Sequence, residues 1–193
     1  MSLTLISAKN NGQLSFVALT KKAFEFLLKL DFVVTKTDTA LVRYESSKVF
    51  INIFQERLSY HIDAEIGRIA EGDLYSLYET LSVMAPSEIN CSKYQTTDPE
   101  VLERCLKDIA DVFERYLKHL LLDENSVFDK LQAGVSRSRL AYTLKAQFGP
   151  IIDKADRAWE AKEMGQALSL YSEAEQGLDE TRIKRLEYLR KHC

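Results

Sequence analysis

The 193-residue chain is poor in glycine, proline and cysteine, with Gly 7, Pro 3 and Cys 3. So few glycines and prolines exclude a collagen-like or low-complexity protein. The glycines form neither a GxGxxG nor a GxxxxGKS/T motif, which argues against a nucleotide held by a glycine-rich loop. HExxH and GxSxG are missing as well, so neither a zincin-type metal site nor a serine nucleophile elbow is indicated. The sequence therefore predicts no cofactor and no metal.

Long apolar runs are also missing. No segment approaches the ~18 apolar residues that a membrane span requires, and residues 1–7 show no basic region followed by an apolar stretch. The three cysteines, Cys91, Cys105 and Cys193, form no CxxC pair, and their odd number fits a reducing compartment. We expect a cytoplasmic protein with no membrane partner.

Neither sign of charge dominates, since Lys+Arg 26 stand against Asp+Glu 29 for a net charge of -3. A protein whose main task is to neutralise phosphates carries a basic excess. Two basic stretches, within residues 137–145 and 182–191, are interpreted as solvated helix faces, and Glu187 lies among the charges of the second. Nucleic acid is therefore not an expected partner.

The pattern of apolar residues changes near Asp98. From Phe32 to Ile69 the residues are β-branched and aromatic with period-two alternation, whereas from Pro99 onward they follow the spacing of amphipathic helices. This segregation predicts an α+β fold. The expected organisation is a sheet domain over residues 1–97 and a helical region over residues 98–193. The sequence leaves open whether the two parts have separate cores or form one continuous core.

The N-terminal part should hold one helix and a sheet. A helix is predicted from Ser15 to Leu30, and four short strands follow with breaks too short for parallel crossovers, so the sheet is an antiparallel four-stranded meander. Gly67 suggests a bulge or strand end after the fourth strand. The apolar residues that the fourth strand is predicted to bury are Leu58, Tyr60, Ile62, Ala64 and Ile66.

The C-terminal part should hold two long helices and a helical hairpin. The segment Thr97–Glu100 has the capping side chain and early proline of a helix start. The second long helix is predicted from Ser126 to Phe148, where Gly149-Pro150 ends it. Shorter helices follow, and Asp179 is placed to cap the last of them.

Ala167, Tyr171 and Ala174 have an Ala-x3-aromatic-x2-Ala spacing, with Ala155 and Trp159 on the helix before. This pattern resembles the second helix of a tetratricopeptide repeat. The closing proline and a second copy are missing, so the resemblance implies a lone tetratricopeptide-like hairpin and not a stacked array. Trp159 and Tyr171 are interpreted as packing contacts of this hairpin, although two such aromatics can also form a ligand cage.

Residues 16–70 carry a second resemblance. The segments Phe26–Phe32 and Val42–Val49, the latter with a Tyr-Glu-Ser turn, precede a long alternating strand. This arrangement is similar to small bacterial immunity-type proteins that occur beside toxins. The resemblance implies a non-enzymatic inhibitor that binds a protein partner, and it supplies no catalytic residues.

The candidate binding site is the polar side of the fourth strand, formed by Ser59, His61, Asp63 and Glu65. Alternate residues of a strand share a face at intervals of roughly 7 Å. A solvated strand face explains the pattern without any partner. If the face binds a protein, its acidic character favours a basic surface. The sequence thus predicts a non-enzymatic protein-binding module.

The alternative is a small metal-assisted or general-base hydrolase. An imidazole beside carboxylates can act as a general base, so such an enzyme would use His61 with Asp63 or Glu65. It would also need groups from the loop over residues 86–98, which offers Cys91, Ser92 and Tyr94.

Overall fold

The computed structural model describes residues 15–89, 94–124 and 126–193. The chain divides into two compact units, Met1–Gln132 and Ala133–Cys193. The first unit contains a sheet with helices and the second is helical. The α+β class predicted from the sequence is confirmed.

The first helix is shorter than predicted. Helix α1 (Phe16–Ala23) begins at Ser15, whose side chain accepts a hydrogen bond from the Ala18 amide at 3.3 Å. The chain then tightens into a 3₁₀ turn over Glu25–Leu30. Three residues per turn align Phe24 with Leu27, which are both fully buried, and leave Leu28 more than half exposed. The single helix predicted to Leu30 was therefore wrong in its last two turns.

Five strands form one antiparallel sheet in sequential order, which confirms the predicted meander and adds a short fifth strand. Between β2 and β4 the buried rows match in register, since Val42 lies opposite Ile53 and Ile53 opposite Ala64. These rows form the core face of the sheet. The strands are β1 (Val33–Asp38), β2 (Leu41–Glu45), β3 (Val49–Gln55), β4 (Ile62–Arg68) and β5 (Tyr75–Ser76).

The predicted burial of the fourth strand is confirmed for Ile62, Ala64 and Ile66 and wrong for Leu58 and Tyr60. Leu58 is 96% exposed and Tyr60 is 48% exposed. The chain reverses here, because the Tyr60 amide donates to the Glu56 carbonyl at 3.0 Å and Tyr60 adopts φ 54. The alternation thus runs into a turn, and β4 begins only at Ile62.

Gly67 lies inside β4 and pairs with Phe50, so it marks neither the predicted bulge nor the strand end. Close packing around this position requires a glycine. A Cβ at this position would lie 1.8 Å from the Asp73 carbonyl oxygen and 2.8 Å from the Phe50 ring. Only a residue without a side chain fits between these two groups.

The remaining helices of the first unit are α2 (Leu77–Met84), α3 (Pro99–Tyr116) and α4 (Lys118–Leu121). The predicted start of α3 is confirmed, since the Asp98 side chain accepts from the Glu100 amide at 2.8 Å. Helix α3 packs on α1 and β4. The two compact units divide after Gln132, within helix-forming sequence and later than residue 97.

The predicted stop at Gly149-Pro150 was wrong, because helix α5 runs continuously over Val127–Glu160. Pro150 is exposed, and so is Ala146, whose carbonyl loses its amide partner. Phe148 and Ile152, on either side of the proline, belong to one buried cluster with Ala174. Packing of this stripe therefore outweighs the local preference for a break.

Two helices complete the second unit, α6 (Met164–Glu173) and α7 (Glu180–His192). The predicted cap is confirmed, since the Asp179 side chain accepts from the Arg182 amide at 2.9 Å. The predicted packing role of Tyr171 and Trp159 is also confirmed: the first is fully buried and the second packs, partly buried, against the same cluster. The cluster's buried members are Ala155, Ala158, Ala167, Tyr171, Leu186 and Leu189.

Candidate functional site

Three of the four predicted site residues lie on the outer face of the sheet, opposite the core. Asp63 and Glu65 belong to β4, and His61 forms a bridge with Gln95 just before it. Ser59 lies in the turn instead, where its hydroxyl donates to the Glu56 carboxylate. The structure therefore brings His61, Asp63 and Glu65 onto one face and leaves Ser59 outside the strand.

Glu65 is part of a polar row that crosses three strands. Its carboxylate accepts a hydrogen bond from the Asn52 amide nitrogen at 3.1 Å. The Asn52 oxygen accepts from the Arg43 guanidinium at 3.3 Å, and Arg43 also pairs with Glu45. Glu65 thus has a structural role within the sheet, because its hydrogen bond orients the side chain of Asn52 on the neighbouring strand.

Asp63 lies at the wall of a crevice of about 30 Å³. Its Oδ1 accepts from the Ala64 amide at 2.7 Å. Burial raises the pKa of the Asp63 carboxyl, and the Ala64 amide and the nearby His61 only partly oppose this effect. No lysine or arginine among the described residues forms an ion pair with Asp63. The crevice is lined by His61, Asp63, Leu77, Tyr78, Leu81, Ile89 and Tyr94.

The chemistry available beside His61 is limited by space. A crevice of about 30 Å³ has room for about one ordered water molecule, so any larger group would reach His61 or Asp63 only from the mouth of the crevice. Tyr94 reaches the crevice and is 3% exposed, whereas Cys91 and Ser92 lie outside the described residues. Within residues 15–89, 94–124 and 126–193, no group of three or more His, Cys, Asp or Glu side chains is placed to hold a metal ion.

Sequence reasoning missed a charged cluster in the second unit. The Asp156 carboxylate accepts from the Tyr171 hydroxyl at 2.6 Å and from Arg185 at 3.0 Å, and it also pairs with Arg182. These bonds, chiefly the one from Arg182, lower the pKa of Asp156. Arg185 also lies 5.5 Å above the Trp159 ring. The prediction that the stretch 182–191 is a wholly solvated face was therefore wrong for Arg182 and Arg185.

Comparison with known proteins gives no relative: no family model, no curated protein and no solved structure matches the chain. Among the helices that the structure describes, none is both long enough and apolar enough to cross a membrane. The resemblances to immunity-type proteins and to a tetratricopeptide-like hairpin stay predictions.

Proposed function

We propose that this chain is a non-enzymatic protein-binding module whose outer sheet face receives a basic group of a partner at Asp63. The observation that carries the proposal is a half-buried carboxylate at a crevice, with no ion pair to a described lysine or arginine. Burial of an ionised carboxylate without a cation is unfavourable. A lysine or arginine from a partner would supply the missing charge.

Aromatic side chains near Asp63 favour binding of a lysine or arginine side chain. Tyr78 lines the crevice and is 54% exposed, and half-buried Phe54 lies directly opposite Asp63 in the sheet register. Cations bind favourably over aromatic rings, and arginine does so most often. The aromatic neighbours therefore support binding of an arginine side chain more than of a small inorganic cation.

A more specific form of the proposal is a bacterial, cytoplasmic inhibitor of the immunity type that neutralises a toxin. It is supported by the resemblance of residues 16–70, and it agrees with the basic partner surface proposed above. The chemistry of the cysteines agrees with a reducing compartment, since no disulfide joins Cys105 and Cys193. A toxin gene beside the gene for this chain would identify the partner to test first.

The test compares wild-type protein with Asp63→Asn, which removes the charge and keeps the shape. Partners are captured from the source cell, identified, purified and measured for binding at several salt concentrations. The matched control is Glu114→Gln, because Glu114 is an exposed acid on α3. We expect a partner with a basic surface, association that slows as salt rises, and weaker binding by Asp63→Asn alone.

Two outcomes would contradict the proposal. Equal affinity of wild-type and Asp63→Asn protein for every identified partner would remove this face from consideration. Hydrolysis of an ester or phosphoester by the purified protein, lost on His61→Ala, would favour the hydrolase alternative instead.

A further inference from the structure

One stretch of α5 is covered by no other element in the part of the chain that the structure describes. Between Ser136 and Gln147 every side chain is exposed except Leu144, which is half-buried. Leu140 is 59% exposed and Tyr142 is 76% exposed. We call residues 136–147 the exposed α5 segment. Such apolar residues on a helix surface need an explanation where they continue a buried stripe.

The stripe in question runs along one side of α5. Residues three or four apart share a helix face, which aligns Leu140 and Leu144 with Phe148 and Ile152. Phe148 and Ile152 are buried against Ala174, with Leu178 packed beside them. The same apolar face is therefore covered at its C-terminal end, where half-buried Leu144 also packs against the cluster, and is exposed at Leu140.

A groove lies beside the buried cluster of Phe148, Ile152 and Ala174. It has a volume of about 480 Å³ and lies between α5 and the connection from α6 to α7. Leu144, Ile152 and Leu178 supply apolar surface. The charged lining residues are Lys145, Asp153, Asp179 and Arg182. The groove gives a second helix a place to seat apolar side chains.

The charge of residues 133–152 indicates which kind of partner would bind the exposed α5 segment. From Ala133 to Ile152 the sequence has three basic residues, Arg137, Arg139 and Lys145, and no acidic one. Arg137 continues the apolar face at its N-terminal end and Lys145 flanks it. The two are eight residues apart, or about 12 Å along the axis. Neither forms an ion pair with a residue that the structure describes.

We propose that the exposed α5 segment and its groove bind an acidic amphipathic helix of a partner protein. Its apolar face lies on Leu140 and Leu144, and two of its carboxylates, about two turns apart, meet Arg137 and Lys145. This is recognition of a helix in a groove, with charge setting the partner. The site lies in the second unit and is independent of the proposal for Asp63.

Other occupants fit less well. An antiparallel second copy centred on Ala141 would place Arg137 of one chain against Lys145 of the other, and like charges repel. Nucleic acid would meet only three basic side chains, Arg137, Arg139 and Lys145, between Ala133 and Ile152. It also prefers stacking platforms and longer basic tracks.

The test uses the full chain and two synthetic helical peptides of about 18 residues, or five turns. One carries glutamates at two positions eight residues apart with leucines between them, and the other carries lysines in place of the glutamates. Binding is measured by fluorescence anisotropy against wild type and against Arg137→Glu combined with Lys145→Glu. Arg139→Glu is the matched control, because Arg139 lies about 200° around the helix from Arg137.

We expect only the acidic peptide to bind, with an affinity that falls as salt rises. The double variant should weaken binding by about tenfold or more, since two surface ion pairs are lost and replaced by repulsion. Arg139→Glu should bind as wild type does. Circular dichroism of each variant separates a lost contact from a lost fold.

The proposal is overturned if the basic peptide binds as well as the acidic one, or if Arg139→Glu weakens binding as much as the double variant. It is also overturned if a single-stranded RNA of similar length displaces the peptide at lower concentration. Dimerisation that is abolished by Leu140→Ser would show instead that a second copy covers the face.

Discussion

Arg182 on α7 holds the Asp156 carboxylate on α5 by two nitrogens, with Nη2 at 2.7 Å and Nε at 3.1 Å from Oδ2. The side chains are 32% and 21% exposed, so solvent screens the pair only in part. Tyr171 and Arg185 complete the hydrogen bonds of the same carboxylate. This one group therefore links α7 to α5 and to α6.

We expect Asp156→Asn to destabilise the second unit at neutral pH by about 1–2 kcal/mol, because a charged hydrogen bond contributes about 1.5–3 kcal/mol and solvent screens this partly exposed pair. The pKa of Asp156 is lowered in the folded state. The carboxylate therefore stabilises the protein above its unfolded pKa, and this contribution is lost as pH falls through the folded pKa. Wild type and variant should become equally stable in acid. Trp159, the one tryptophan of the chain, reports unfolding of this unit by fluorescence.

Asp153→Asn is the matched control for this experiment. Asp153 lies one turn earlier on α5 and is exposed, so its substitution should change stability by less than about 0.5 kcal/mol. A stability difference for Asp156→Asn that persists unchanged into acid would show that the ion pair is not its cause.

The second prediction concerns Asp63, whose pKa shifts in the opposite direction. Burial raises the pKa of this carboxyl, so the folded protein binds a proton there more tightly than the unfolded chain. The ionised form consequently destabilises the fold above the folded pKa. Asp63→Asn should raise the melting temperature at neutral pH and have no effect in acid. A fall in stability at neutral pH would contradict the account, and Glu114→Gln should leave the melting curve unchanged.

Local pattern was enough to predict the core of the sheet but not its turns. Period-two alternation correctly placed Ile62, Ala64 and Ile66 inside, because a strand has only two faces. The same alternation continues through Leu58 and Tyr60, where the backbone has already turned. Nothing in the apolar pattern distinguishes the turn from the strand. At Pro150 the local signal misled for the opposite reason, since packing kept the helix intact.

The site residues were predictable only where one element supplies them. His61, Asp63 and Glu65 could be placed on one face from the spacing alone. The crevice beside Asp63 also needs Tyr78 and Tyr94, which come from other segments. Asp156 and Arg182 are 26 residues apart, and no periodic signal joins them. Long-range contacts of this kind follow from the packing of whole helices.

The third prediction concerns the close packing at Gly67. Gly67→Ala would drive a methyl group into the Asp73 carbonyl and the Phe50 ring, and backbone cannot move aside as a flexible side chain does. We expect a loss of about 1–3 kcal/mol, the range for overpacked cores. Gly165→Ala is the control, because a Cβ there meets no atom within 4 Å and alanine favours a helix. Equal melting temperatures for the two variants would show that β4 and Asp73 are not packed as described.

The last prediction tests where β4 begins. Ile62 is fully buried and Leu58 is 96% exposed, although the alternation of the sequence gives both the same face. Ile62→Asp places an unpaired charge in the core and should cost more than about 4 kcal/mol, which is exceptional for one substitution. Leu58→Asp should change stability by less than about 0.5 kcal/mol, because its side chain already lies in water. Chemical denaturation followed by circular dichroism measures both variants. Comparable damage from the two substitutions would mean that the strand extends back to Leu58 and that the turn at Tyr60 does not form.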